Sequence, residues 1–156
     1  MGEKYQTIDL FSAVREPKKI TKSIRLIELF AGIGATHKAL SVLAKYFGIK
    51  FESWKICEWA IPSIKAYNAI HIKDFTDYSV GKSKEEMLER INGVSSNYNE
   101  PISSKNLNKM SISQIREIYN NVVATHNLVN IMNVKGGDLE IKETDKYEYI
   151  MTYSFP

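Results

Sequence analysis

Two glycines in the stretch FAGIG, residues 30–34, stand between a short apolar run and an amphipathic run. Glycines at such a junction let the backbone turn sharply and approach a ligand closely. The helix expected after them would offer free N–H groups and a partial positive charge to an anion. Many α/β proteins have glycines here only for tight packing, so the pattern alone leaves both interpretations open.

The residues that follow the glycines favour a ligand without a pyrophosphate group. A dinucleotide-binding turn has a small residue three positions after its second glycine, and this chain has His37 there. Glu58 stands 24 residues after Gly34, where a carboxylate can accept hydrogen bonds from both hydroxyls of a ribose. Trp59 beside it can lie against a purine ring. A surface acid next to a packing tryptophan would give the same pattern.

A third acidic residue, Asp138, follows the pair Gly136 and Gly137 and is predicted to end a third strand. An aspartate after glycines is often only a turn former, but in this order it could accept a hydrogen bond from an adenine amino group. Together these positions predict a site for an adenosine with a small anionic tail. S-adenosylmethionine fits this description, since its carboxylate suits a helix end and its ribose suits Glu58.

The predicted elements place these residues at the ends of strands. IRLIELF (24–30) and FESWKIC (51–57) read as strands, and the apolar spacing from residue 35 predicts a helix that Gly48 can end. A second helix is predicted to begin at Pro62. Strand, glycine turn, helix, strand and helix form the opening of a doubly wound α/β sheet.

Residues 76–111 are polar and carry few structural signals, except for a predicted capping box of Ser83 with Glu86 and a helix end at Gly93. A longer helix is predicted from residue 112, opened by a second capping box of Ser111 with Gln114. One apolar stripe is assigned to this helix: Ile112, Ile115, Ile118, Val122, Val129 and Met132. The run YEYIMTY, residues 147–153, is predicted to be the next strand.

Composition describes an ordinary globular chain of 156 residues with a net charge of +3, too mild to indicate nucleic-acid binding. The lead-in, residues 1–23, is irregular and basic. The single cysteine, Cys57, allows no internal disulfide and reads as a small core residue. Its spacing from the three histidines forms no metal-site pattern. Without an apolar signal core or a membrane-length apolar run, we expect a cytoplasmic protein of bacterial or phage type with no membrane partner.

Four motifs in order resemble the first motifs of DNA (cytosine-5) methyltransferases: LFAGIGATHKAL from residue 29, EW at 58–59, GDL at 137–139 and SFP at 154–156. That family has a Phe-Ala-Gly-x-Gly turn, a Glu-Trp pair, a Gly-Asp-Ile/Leu turn and a Phe-Pro-Cys-Gln loop. The resemblance covers residues 24–156, with 76–133 as an inserted helical segment. It implies part of a Rossmann-like, S-adenosylmethionine-dependent methyltransferase domain.

The resemblance also implies a role for each matched residue. Phe30 would pack against the cofactor, and Gly32, Ile33 and Gly34 would line its methionine moiety. Glu58 would hold the ribose and Trp59 would flank the adenine, whose edge would meet Asp138 and Leu139. Pro156 would be the proline of the catalytic loop. Two positions depart from the family pattern: Ala35 replaces a frequent third glycine, and Tyr149 replaces an acid of the last strand.

In the family, a cysteine after Phe-Pro attacks C6 of a flipped-out cytosine in double-stranded DNA, so that C5 accepts the methyl group. That cysteine would follow Pro156, so no catalytic residue is assigned in this sequence and the chain alone is expected to be inactive. The strand at 147–153 would then lie at a sheet edge, open to the rest of the enzyme or to self-association. A non-catalytic subunit of a split methyltransferase and an unrelated nucleotide-binding domain remain alternatives.

Overall fold

A parallel sheet of three strands carries the glycine turn. The computed structural model describes residues 20–153. Strand β1 (Ser23–Leu29) lies between β2 (Phe51–Cys57) and β3 (Tyr147–Tyr153), and both pairings are parallel. This arrangement confirms the predicted α/β fold, and the first two strands lie within one residue of their predicted bounds. Among the described residues, β3 pairs with β1 alone.

Two helices follow the first two strands. Helix α1 (Ala35–Tyr46) begins directly after the glycine turn, and Gly48 follows its end in the left-handed region at φ +66°. Helix α2 (Ile61–Tyr67) has Pro62 in its first turn, as predicted. A π-helix, Asn68–Ile72, continues α2 without a break. None of the described helices is long and apolar enough to cross a membrane.

Three further helices build an apolar core beside α2. They are α3 (Lys84–Arg90), α4 (Ser104–Lys109) and α5 (Ile112–Ala124). Both predicted capping boxes are present, with the capping serines directly before α3 and α5. Helix α4 was not predicted, since its six residues contain one apolar side chain and show no period. The buried core residues are Ile64, Met87, Ile91, Val94, Leu107, Ile115, Ile118, Tyr119, Val122 and Val129.

The helix predicted from residue 112 is shorter than its apolar stripe suggested. Helix α5 ends at Ala124, and His126 and Val129 both have positive φ, of +49° and +65°. Val129 is buried and Met132 is 85% exposed, and neither belongs to the helix. Their positions continue the helical period of the sequence by coincidence, so this part of the prediction is wrong.

The predicted third strand ending at Asp138 is also wrong. Gly136–Leu139 is a 3₁₀ turn, and the outer side of β2 is met instead by a single parallel bridge between Ile56 and Asn127. Leu128 donates its N–H to the Ile56 carbonyl at 2.8 Å. Residues 126–128 therefore occupy the position beside β2, and a 3₁₀ turn, Ile131–Asn133, interrupts the chain before a strand can form.

The side chain of Arg25 in β1 lies on one face of the sheet and contacts residues of both neighbouring strands. The Arg25 guanidinium lies 3.7 Å from the ring centre of Trp54 and 3.3 Å from that of Tyr147. It also forms an ion pair with Glu52 and donates to the Tyr149 hydroxyl at 3.1 Å. Tyr149, which departs from the family pattern, is thus one of the partners that keep this buried cation hydrogen bonded.

The other sheet face meets α1 and α2 through a buried polar network. The Glu28 carboxylate, 2% exposed, accepts the Tyr67 hydroxyl at 2.5 Å and the backbone N–H of His37 at 3.1 Å. His37 is the third residue of α1, and its N–H is one that the N-cap side chain normally accepts. The N-cap here is Gly34, which has no side chain, so Glu28 accepts this N–H instead. Burial raises the pKa of Glu28, and its two hydrogen bonds oppose that rise.

The hydrogens in this network can be assigned from its donors and acceptors. Since Tyr67 donates to Glu28, the Tyr67 oxygen accepts from Ser53 Oγ at 3.0 Å and from His37 Nδ1 at 2.8 Å. His37 therefore carries a proton on Nδ1. Burial, with smaller contributions from the nearby His71 and Lys38, lowers the pKa of His37 from 6.5 to about 4.

This lowered pKa predicts a loss of stability in weak acid. Between pH 6.5 and 4 the unfolded chain binds a proton at residue 37 that the folded chain does not, so the free energy of unfolding falls as the pH falls. The contribution is at most about 1.4 kcal/mol per pH unit, and the raised pKa of Glu28 acts in the opposite direction. His37→Asn keeps a donor toward Tyr67 and should show a shallower fall in urea denaturation across this range.

Ile118→Val is the matched control, because it removes one buried methylene and no titratable group. It should keep the wild-type pH slope at lower stability. Equal slopes for wild type and His37→Asn would show that His37 is not the group responsible.

Candidate cofactor-binding site

A mostly apolar cavity of about 320 Å³ lies at the carboxyl ends of β1 and β2. Ligands of open α/β sheets bind at this edge, where loops diverge from neighbouring strands. The cavity is lined by Phe30, Cys57, Glu58, Trp59, Tyr98, Val129, Asn130, Ile131 and Met132. A mostly apolar wall with one carboxylate and a few other polar groups suits a ligand with a flat apolar body and a few polar groups.

Glu58 joins the cavity to the glycine turn. Its Oε2 accepts the Gly32 N–H at 2.8 Å, and its Oε1 accepts the Ala60 N–H at 2.8 Å. The residue is only 8% exposed, so these bonds stabilise a carboxylate that burial would otherwise penalise. A carboxylate has about four acceptor positions, which leaves capacity for hydroxyl groups of a ligand.

Asn127 fixes the opposite wall of the cavity to the backbone of Glu58. Its Oδ1 accepts the N–H groups of Glu58 at 3.1 Å and Val129 at 2.8 Å, and its Nδ2 donates to the Glu58 carbonyl at 2.9 Å. Asn127 is fully buried. The Asn127 side chain therefore supplies the hydrogen bonds that the backbone of a neighbouring strand would otherwise make. These bonds keep the segment that leads to Met132 beside the end of β2.

The glycine turn contains three residues with positive φ, two of them glycines. Gly32 and Gly34 have φ of +54° and +83°, and Phe30, the third residue in this region, has φ of +59°. The Gly34 N–H donates to the Ala31 carbonyl at 2.9 Å, which closes the turn. Among the described residues, three further N–H groups at the start of α1 have no hydrogen-bond partner, those of Ile33, Ala35 and Thr36.

The structure brings together most of the residues that the sequence singled out. Phe30, Glu58 and Trp59 line the cavity. The turn of Gly32, Ile33 and Gly34 adjoins the cavity through the bond from Gly32 to Glu58. Pro156 lies outside the described residues.

Asp138 and Leu139 are placed elsewhere and do not line the cavity. Asp138 Oδ2 accepts the Lys135 N–H at 2.7 Å, and the Leu139 carbonyl accepts the Trp54 indole N–H at 2.9 Å. The pattern Gly-Gly-Asp is thus used locally, to form a 3₁₀ turn that packs under the sheet face carrying Trp54.

Sequence reasoning missed the far wall of the cavity, which Tyr98 and residues 129–132 form. Asn130 supplies its polar group: its Oδ1 accepts the Met132 N–H at 3.0 Å and so caps the short 3₁₀ turn. The available signal was the pair of asparagines in HNLVN, since Asn seldom continues a helix and often opens a turn.

Cys57 also contacts the cavity, but it is 2% exposed and its Sγ lies 3.4 Å from the Val129 carbonyl. Burial, with a smaller contribution from Glu58, raises the pKa of this thiol to about 12. This confirms the interpretation of Cys57 as a small core residue.

Comparison with known proteins agrees with the motifs. The chain is 33% identical over 139 residues, 87% of its length, to the orphan methyltransferase M.SssI of Spiroplasma monobiae (strain ATCC 33825 / MQ-1). It spans 34% of the length of that relative. No protein-family model matches the chain. The chain belongs to the DNA (cytosine-5) methyltransferase family, as its identity to M.SssI, its ordered motifs and its parallel α/β fold show.

Proposed function

We propose that this chain is the cofactor-binding part of an enzyme that transfers a methyl group from S-adenosylmethionine to C5 of cytosine in double-stranded DNA. The observation that supports this most directly is the position of Glu58. Its carboxylate lies in the wall of the apolar cavity and at the same time holds the glycine turn through the Gly32 N–H.

The chemistry of the cavity fits the parts of S-adenosylmethionine. An adenine ring can lie among the apolar side chains of Phe30, Trp59 and Ile131. The ribose hydroxyls can donate to the free acceptor positions of Glu58. The methionine carboxylate can accept from the unpartnered N–H groups at the start of α1.

The cavity offers little to a phosphate. No arginine or lysine is among its lining residues within the described part of the chain. A pyrophosphate would have to approach Glu58 without a nearby cation to offset the repulsion. This charge pattern favours an adenosine with a carboxylate tail over a dinucleotide such as NAD.

Asn130 is proposed to meet the adenine edge, the role first assigned to Asp138. Asn130 lines the cavity, while Asp138 caps a turn away from it. The side-chain amide of Asn130 can offer both a donor and an acceptor to the adenine.

The cofactor supplies the methyl group, and this part of the chain binds and orients it. Cys57 does not serve as the nucleophile that attacks cytosine, since its thiol is buried, bonded to the Val129 carbonyl and protonated at neutral pH. The DNA base would be flipped out of its stack to reach the cofactor.

Cofactor choice is the first test of this proposal. Isothermal titration calorimetry of the 156-residue chain should detect binding of S-adenosylmethionine and of S-adenosylhomocysteine, because both present the same adenosine and carboxylate. NAD should bind far more weakly, since its pyrophosphate finds no cation in the cavity. Comparable affinity for NAD would contradict the proposal.

Replacing Glu58 tests the ribose contact. Glu58→Gln removes the charge and one acceptor oxygen, and charge-assisted hydrogen bonds contribute roughly 1.5–3 kcal/mol each, so the dissociation constant for S-adenosylhomocysteine should rise roughly tenfold or more. Glu148→Gln is the matched control, because Glu148 is an exposed acid on β3 that does not line the cavity. Unchanged affinity of Glu58→Gln at wild-type stability would reduce Glu58 to a structural acid.

A second pair of variants separates the two candidates for the adenine edge. Asn130→Ala should weaken S-adenosylhomocysteine binding about fivefold, the effect of one lost hydrogen bond. Asp138→Ala should leave the affinity within twofold of wild type and lower only the stability of its own turn. The reverse result, with Asp138 as the sensitive position, would support the interpretation drawn from the motif.

A further inference from the structure

His71 contacts the glycine turn and is not among the residues that line the cavity. It belongs to the π-helix that continues α2, and its Nε2 lies 2.9 Å from the Ile33 carbonyl oxygen. Because a carbonyl can only accept, Nε2 carries a hydrogen and donates it. The His71 ring also stacks on His37 of α1, with ring centres 4.4 Å apart, and meets the edge of Tyr67 at 5.0 Å.

The peptide between Ile33 and Gly34 is thereby held at both of its polar atoms. Its carbonyl accepts from His71, and its N–H donates to the Ala31 carbonyl at 2.9 Å. A peptide group fixed at both ends cannot rotate about its flanking bonds without breaking a hydrogen bond. The neighbouring N–H groups of Ile33 and Ala35 are therefore held in their directions.

The two glycines of the turn have different surroundings. A Cβ at Gly34 would lie 2.4 Å from His71 Nε2 and 2.8 Å from Tyr67 Cε2, whereas a Cβ at Gly32 would meet nothing within 4 Å. Tyr67 cannot yield, because its ring is buried and its hydroxyl is bonded to Glu28. His71 thus packs directly on the backbone of Gly34, and only glycine permits that contact.

The π-helix that carries His71 is itself locked. The Lys73 N–H donates to the Asn68 carbonyl at 2.7 Å, and the Asn68 side chain bonds both the carbonyl and the N–H of Asp74, at 2.7 and 3.2 Å. Asn68 is 2% exposed. Short π-helices are rare and frequently lie at functional sites, and here the wider turn places His71 against Ile33 and Gly34.

We propose that His71 is a positioning residue for the cofactor-binding turn. It does not line the cavity and acts through the Ile33–Gly34 peptide, so that the N–H groups of the turn are oriented before the ligand arrives. The expected effect on S-adenosylmethionine affinity rests on the proposed function. The expected geometry of the turn rests only on the contacts of His71.

Two variants separate the hydrogen bond from the packing. His71→Phe keeps a ring against His37 and Tyr67 but has no donor, while His71→Gln keeps an N–H donor on a side chain that can reach the Ile33 carbonyl. The dissociation constant for S-adenosylhomocysteine, measured by calorimetry, should rise about fivefold in His71→Phe and stay within about twofold of wild type in His71→Gln. A purely structural residue would give the opposite order, since the variant that keeps the ring would be the milder one.

A measurement without ligand tests the geometry independently of the proposed function. In the ligand-free chain, the amide hydrogen of Gly34 should exchange about fivefold faster in His71→Phe than in wild type, and at the wild-type rate in His71→Gln. The Gly48 amide, which donates to the Lys45 carbonyl at the far end of α1, should not change. Equal Gly34 exchange in all three proteins would overturn the inference, whereas faster exchange in a chain that binds no S-adenosylhomocysteine would count against the proposed function alone.

The glycines provide a further check by a double-mutant cycle. Gly34→Ala must displace His71, so adding His71→Phe to it should weaken binding by less than His71→Phe does in wild type. Gly32→Ala has similar backbone strain at positive φ but no contact with His71, so its effect should add to that of His71→Phe. Additivity in both cycles would show that His71 does not act through Gly34.

Discussion

The buried carboxylate of Glu58 is the interaction on which the site depends. A carboxylate at this depth must be paired, and its partners here are backbone N–H groups rather than cations. Gly32 and Ala60 donate to its two oxygens, and the Asn127 amide bonds its own backbone. One residue therefore sets the relative positions of the glycine turn, the start of α2 and the far wall of the cavity.

The same helix supports the turn twice. At the start of α2, the Ala60 N–H donates to Glu58, whose other oxygen accepts the N–H of Gly32 in the turn. Beyond the end of α2, His71 donates to the Ile33 carbonyl. Between these points Tyr67 reaches Glu28, which caps α1. The glycine turn is thus held by α2, by the π-helix that continues it and by the ends of β1 and β2, and it adjoins the cavity through the bond from Gly32 to Glu58.

Features that depend on residues adjacent in sequence could be predicted. Features that depend on contacts between residues distant in sequence could not. The strands, the glycine turn and both capping boxes follow from local patterns, as does Glu58 at the end of β2. Asn127 has no local signature, because its role comes from lying beside Glu58, 69 residues away. Asp138 was singled out because Gly-Gly-Asp is a clear local pattern, whereas nothing in the local sequence marks Asn130 as a residue that lines the cavity.

The proposed adenine partner, Asn130, is an amide rather than an acid, and this difference bears on ligand choice. An ionised aspartate can only accept hydrogen bonds, whereas an asparagine both donates and accepts. The edge of adenine presents an amino donor beside a ring-nitrogen acceptor, so one amide can satisfy both. A neutral Asn130 also avoids a second negative charge in a cavity that already contains Glu58 and is lined, within the described residues, by no cation. In the proposed complex, Asn130 could therefore orient the adenine without placing a second carboxylate beside Glu58.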